Sequence, residues 1–186
     1  MTKTKKLTLC ALLVAMATVL AMVSKIIPAP WLQGGSVTLA SMVPIIAVSI
    51  IIDMRWGLLA SVVYSLIQML TGFYPPPTQT ILYFFLVIFL DYIAAFGVLG
   101  FAGSFSKLLG SKKWSIPASG AIVAFLRYIC HILSGVLIWG VYAGEGQSVL
   151  AYSLIYNGSY MIPEIIITAV ALALMSGVIE KIKSTR

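Results

Sequence analysis

Residues 127–139 read Arg-Tyr-Ile-Cys-His-Ile-Leu-Ser-Gly-Val-Leu-Ile-Trp, an almost wholly apolar run that carries Arg127, His131, Gly135 and Trp139 at four-residue spacing. On an α-helix that spacing draws one slowly winding stripe, about 18 Å long at 1.5 Å per residue. The stripe offers a charge, a titratable ring, a gap without a side chain and an aromatic plate. Such a face suits the wall of a cavity for a small polar molecule.

Composition places this helix in a bilayer. Of 186 residues, 61% are hydrophobic and 9% charged, with a mean hydropathy of +1.06. That is too apolar for a water-soluble domain and long enough for several crossings of about 20 residues each. The chain therefore reads as an all-α integral membrane protein, one domain over residues 1–186. The basic start, Met1 to Lys6, before a long apolar run looks like a signal peptide, but no cleavage site is convincing and the run is read as a span. Six spans are predicted, at about 7–27, 37–52, 57–70, 81–103, 116–142 and 152–179. Pro28-Ala-Pro30 closes the first. Asp53-Met-Arg55 makes a charged turn, read as a local ion pair, and residues 72–79 form a rigid, uncharged loop.

Charge asymmetry orients the spans. Lys3, Lys5, Lys6, Arg55, Lys107, Lys112, Lys113, Lys181, Lys183 and Arg186 fall on one side if the spans alternate, with Lys25 the exception. The positive-inside rule then predicts that both termini are cytoplasmic. The net charge of +7 is topological, and the partner it implies is the lipid bilayer, with no nucleic acid. Cys10 and Cys130 lie inside apolar segments without metal or redox spacing and are read as packing residues. Neither a metal site nor a catalytic group is expected.

The same orientation gathers the unusual residues in the outer half of the bundle. Asp91, His131 and Trp139 converge there, Tyr152, Tyr156, Asn157 and Tyr160 open the last span, and Pro163-Glu164 lies just below. Ionisable groups inside a membrane face a partner or a wet cavity, so Asp91, Arg127, His131 and Glu164 suggest a polar pocket. Structural alternatives stand beside this. Asp91 and Arg127 also suit a buried ion pair, Glu164 a helix start answering the dipole, Asn157-Gly158 a bend, and Trp139 an interfacial belt. Trp31, next to Gly34-Gly35, fits either a belt or a lid. Ala11/Ala15 and Ala17/Ala21 are small-xxx-small pairs, read as helix docking or as filler. Aromatic faces with a carboxylate favour a small heteroaromatic or cationic solute over a sugar or inorganic ion.

These residues carry a resemblance. Gly34 to Leu39, Leu90-Asp-Tyr92 with Ala95-Phe-Gly97, Arg127 with His131 and Ser134-Gly135, and Ser153 to Asn157 with Tyr160 to Glu164 follow one another in an ordered pattern. The pattern resembles the thiamine-specific substrate-binding (S) component of energy-coupling factor (ECF) transporters, the ThiT or YuaJ family. The resemblance implies a high-affinity thiamine binder, multi-pass in a bacterial cell membrane, with its site near the outer face under the loop between the first two spans. It places thiamine against Asp91, Tyr92, Arg127, His131, Gly135, Trp139, Tyr152 and Asn157, with Trp31 in the capping loop. It also implies docking through Ala11, Ala15, Ala17 and Ala21 onto a transmembrane coupling subunit (EcfT) served by two ATPase subunits (EcfA and EcfA'), and no cofactor. Family members can carry Glu where this chain has Asp91, one methylene shorter.

The chain contains no Gly-x-x-x-x-Gly-Lys-Ser/Thr loop, so it does not hydrolyse ATP by that route. Other readings are an S component for another vitamin or heteroaromatic solute, and a small proton-coupled secondary transporter using Asp91, His131 and Glu164 as a relay. Against the latter stand the chain length and the lack of an evident internal repeat. An intramembrane enzyme would need a nucleophile with its base or a His-Glu-x-x-His set, and the sequence presents neither convincingly.

Overall fold

A computed structural model describes residues 1–26, 34–110 and 112–185. Among the described residues six helices follow in chain order, α1 (Lys3–Ser24), α2 (Met42–Ile51), α3 (Met54–Gly72), α4 (Ile81–Leu108), α5 (Ser115–Leu137) and α6 (Val149–Ser184). No strand occurs among the described residues. By length and composition, the four helices α1, α4, α5 and α6 are able to cross a membrane. The 19 residues of α3 include Arg55, Ser61, Ser65 and Gln68, which lower its hydropathy.

The second element departs most from expectation. Instead of a span over 37–52, α2 has 10 residues, about 15 Å of helix or half the hydrocarbon thickness. All ten are buried. A helix apolar on every side needs cover on every side, and α1, α3, α4 and α6 provide it. The helix starts late because the chain turns just before it. The Thr38 hydroxyl accepts the Ser41 N–H at 3.3 Å, and Ala40 has φ 59°.

The other ends shift less. The α1 helix starts at Lys3, α4 continues to Leu108 and α6 runs for 36 residues. The expected end of the first span, Ile27 to Pro30, lies outside the described residues. The α5 helix stops at Leu137, and Trp139–Tyr142 forms a separate 3-10 turn, so Trp139 is just past the helix that was expected to carry it. Asp53 pairs with Lys6 at 3.4 Å, not with Arg55, and caps α3 by accepting the Trp56 N–H at 3.1 Å. The basic N-terminus and the α2–α3 turn thus share one end of the bundle.

Small residues let the helices close. Ser49 Oγ donates to Gly100 O at 2.5 Å and accepts the Gly103 N–H at 2.9 Å. A Cβ added at Gly103 would lie 2.2 Å from Ser49 O. In lipid, where tails are as apolar as leucine, such close backbone contacts do much of the work of association. Gly103→Ala is expected to lower the thermal unfolding midpoint in detergent, at a cost of roughly 1–3 kcal/mol from overpacking. An unchanged midpoint would show that the α2–α4 contact has room to spare.

Candidate functional site

A cavity of about 510 Å³ opens at the end of the bundle where α1 finishes and α6 begins, away from the Lys6–Asp53 pair. Sites for small molecules fall in the range of about 300–1,000 Å³. Its α4 wall depends on an irregularity. Residues Ile88–Ala94 are π-helical, and the Ala95 N–H reaches back to Leu90 O. Val87, Asp91, Tyr92 and Phe96 all line the cavity, whereas a 3.6-residue turn would spread them over about half the helix circumference. The wider turn gathers them onto one face.

The floor is a chain of hydrogen bonds centred on Asp91. His131 Nδ1 lies 2.9 Å from Asp91 Oδ1. Oδ2 accepts from Ser134 Oγ at 2.5 Å and from the Trp139 indole N–H at 3.2 Å, and the same indole reaches Ser134 Oγ at 3.1 Å. On the other side of the imidazole, Arg127 Nε donates to His131 Nε2 at 3.3 Å. Arginine has no acceptor, so Nε2 is unprotonated and Nδ1–H donates to the carboxylate, which makes His131 the neutral tautomer. The guanidinium carbon stands 4.2 Å from the Phe96 ring centroid. The direct Asp91–Arg127 ion pair considered from the sequence is therefore replaced by a relay through His131.

Gly135 allows α6 to close on this floor. A Cβ there would lie 2.1 Å from Ser153 Oγ and 3.0 Å from Asn157 Nδ2. Asn157 Nδ2 donates to His131 O at 3.2 Å and Ser153 O at 2.9 Å, while its Oδ1 accepts from Tyr160 at 2.5 Å. The α6 helix runs unbroken through Asn157-Gly158, so that pair is no bend. Around the mouth, Trp139 tilts against Tyr74 with centroids 5.5 Å apart and Tyr152 stacks on Tyr156 at 5.6 Å. The Tyr152 hydroxyl is buried without a hydrogen-bond partner.

The structure thus brings Asp91, Tyr92, Arg127, His131, Gly135, Trp139, Tyr152 and Asn157 to one cavity. Trp31 lies outside the described residues. Trp139 is no belt residue, since its indole N–H is held inside. Glu164 does not line the cavity. It lies within α6, not at a helix start, and its Oε1 accepts the Thr38 N–H. Sequence reasoning placed Tyr156 and Tyr160 in the aromatic cluster of the outer half without listing them as contacts, and it assigned no site role to Ser134, Tyr74 or Phe96. Tyr152, Tyr156, Tyr160 and Glu164 recur every four residues, the spacing that puts Tyr156 and Tyr160 on one face.

The alanine stripe on α1 is corrected. Ala17 and Ala21 are 0% and 4% exposed and pack in the core, whereas Ala11 and Ala15 are exposed. A six-residue offset turns the second pair by about 240° around the helix. Ala11 and Ala15 line an apolar groove between α1 and α3, with Leu7, Val19, Leu59 and Val63 beside them.

Fold and site together define a multi-pass helical membrane protein built around a small-molecule cavity. Residues 7–184 match the thiamine transporter protein family (Thia_YuaJ), and the chain belongs to that family. It is 35% identical over 154 residues to the thiamine transporter ThiT of Bacillus subtilis (strain 168), covering 77% of this chain and 76% of that one. The thiamine transporter ThiT of Lacticaseibacillus paracasei is 36% identical over 97 residues, 46% of this chain and 47% of that one. The solved structure of ThiT from Listeria monocytogenes shares the fold, with a TM-score of 0.75 at 23% identity over 97% of this chain and 98% of that one.

Ser134 ties Asp91 to Trp139, so its loss should be felt before any ligand is added. Ser134→Ala is expected to destabilise the ligand-free protein by about 1–3 kcal/mol, the cost of an under-satisfied buried polar group, read as a lower unfolding midpoint. A wild-type midpoint would remove Ser134 from the network.

Proposed function

We propose that this chain is the thiamine-binding subunit of an ECF-type uptake transporter, and a transport protein without enzymatic activity. The observation that carries the reading is a cavity walled by Trp139, Tyr74, Tyr152 and Tyr156 around the Asp91 carboxylate, in a chain of the thiamine transporter family. Thiamine joins a permanently cationic thiazolium ring to a flat aminopyrimidine. Aromatic faces hold both rings, and the cation gains from their π-quadrupoles. Arg127 keeps its charge in the cavity wall, with its guanidinium over Phe96 and bonded to His131, and the Asp91 carboxylate on the far side of His131 offsets it. The remaining lone pair of Asn157 Oδ1, the free edge of Asp91 and the unpartnered Tyr152 hydroxyl read the polar edges of the ligand.

In this reading the six helices form one membrane domain with both termini in the cytoplasm, and the cavity opens outward. Lys6, Arg55 and the basic C-terminal residues support that orientation. The groove lined by Ala11 and Ala15 receives the transmembrane coupling subunit EcfT, and EcfA and EcfA' supply ATP hydrolysis. Small residues on an otherwise apolar face favour close helix docking there.

The test is a titration of the detergent-purified protein with thiamine, followed by intrinsic tryptophan fluorescence and calorimetry, with riboflavin and biotin as competitors. Saturable binding of thiamine alone is expected, because Trp139 is in the cavity wall. Trp139→Ala should weaken calorimetric affinity by about tenfold or more, as stacking and cation–π attraction are lost together. If folded wild-type protein takes up no thiamine, the ligand assignment fails. If Trp139→Ala binds as tightly as wild type, that wall residue is not a contact.

A further inference from the structure

Residues 34–41 precede α2 without forming helix or strand, so their backbone groups have no regular ladder. Inside a membrane bundle such groups need partners from neighbouring elements. Three side chains supply them. The Tyr156 hydroxyl donates to Gly34 O at 2.8 Å, Ser24 Oγ accepts the Leu39 N–H at 2.8 Å, and Glu164 Oε1 accepts the Thr38 N–H. Gly34 to Val37, between the first and last of the α6 tethers, form part of the cavity wall.

Both α6 tethers belong to one stripe. Tyr156, Tyr160 and Glu164 are four residues apart and therefore stack along one face. Tyr160 fills the middle, where a Cβ on Gly35 would come within 2.6 Å of its ring.

Glu164 is the unexpected member of this stripe. Its residue is 1% exposed, and Oε2 has no hydrogen-bond partner. Among the described residues, the ion pairs are Lys6–Asp53 and His131–Asp91, so no cation sits against it within bonding distance. Burying an acid in this way is expensive. Its hydrogen-bonding partner among the described residues is Thr38, whose N–H it accepts, with the Arg127 charge acting from farther off, and it does not line the cavity.

We infer that Glu164 is a positioning residue: by accepting the Thr38 N–H it pins the wall formed by residues 34–37 against α6, and so sets how slowly a bound solute escapes. The rate part rests on the thiamine reading above, whereas the pinning does not. With Glu164 in place, the wall is held at both ends by α6, so loss of a tether frees one side of the site and speeds escape.

The test has a ligand-free arm and a ligand arm, both on the full chain in detergent. Hydrogen exchange of ligand-free wild type should show the Thr38 amide protected by about a hundredfold or more relative to an unfolded chain. Glu164→Ala should lose that protection while the α6 amides keep theirs. Glu164→Gln should retain it, because an amide oxygen accepts the same N–H. In the ligand arm, displacement kinetics should show thiamine leaving Glu164→Ala about tenfold faster, and Glu164→Gln within about twofold of wild type.

Unprotected Thr38 in wild type overturns the inference. So does Glu164→Gln behaving like Glu164→Ala, or wild-type release from Glu164→Ala. If Glu164→Ala fails to fold, wild-type exchange and the Glu164→Gln rate decide. Absence of thiamine binding by wild type would sink the ligand reading instead, and the exchange arm would still judge the pinning.

Discussion

The carboxylate of Asp91 accepts from His131, Ser134 and Trp139 at once, and the cavity end of the bundle depends on that convergence. A charge inside a bilayer is expensive and faces a partner or a wet cavity. Hydrogen bonds to a charged group contribute about 1.5–3 kcal/mol each. The convergence also fixes chemistry beyond itself. It orients the imidazole so that Nε2 faces Arg127, and it swings the Trp139 indole back over the floor from a turn beyond α5. One half-buried group therefore sets a tautomer, an aromatic wall and the place of a cation.

Two backbone features make the convergence reachable. The π-helical turn at Ile88–Ala94 puts Asp91 and Tyr92 on the cavity face together, Asp91 toward α5 and Tyr92 toward the end of α3. Gly135 removes the side chain that would hold α6 away from Asn157 and Ser153. π-turns are poorer in local geometry than α-turns and persist where a site needs them. The cost is spread over a bundle whose other half is packed through Ser49, Gly57, Gly100 and Gly103, with the ten-residue α2 enclosed as an internal plug.

The long α6 helix serves both the floor and the wall. Asn157 and Ser153 face α5, whereas Tyr156, Tyr160 and Glu164 face residues 34–41. A rigid helix with two polar faces couples the base of a cavity to the segment beside its mouth, because neither contact can shift far without straining the other.

By itself the sequence determined the membrane class, the helical runs and the polar stripe of α5. Hydropathy follows from composition, and four-residue spacing defines a face whatever lies opposite. Asp91 was legible as a partner in need of company because an ionisable residue in apolar sequence has few alternatives. The tertiary structure alone decided which partners it takes. Asp91 and His131 are 40 residues apart, and nothing local states that they meet. The π register, the 3-10 turn under Trp139, the short α2, the inward Ala17 and Ala21, and the withdrawal of Glu164 from the cavity were hidden for the same reason. Periodicity reports which residues share a face, whereas contacts depend on how close neighbouring helices come, and that is set by packing among residues distant in the chain.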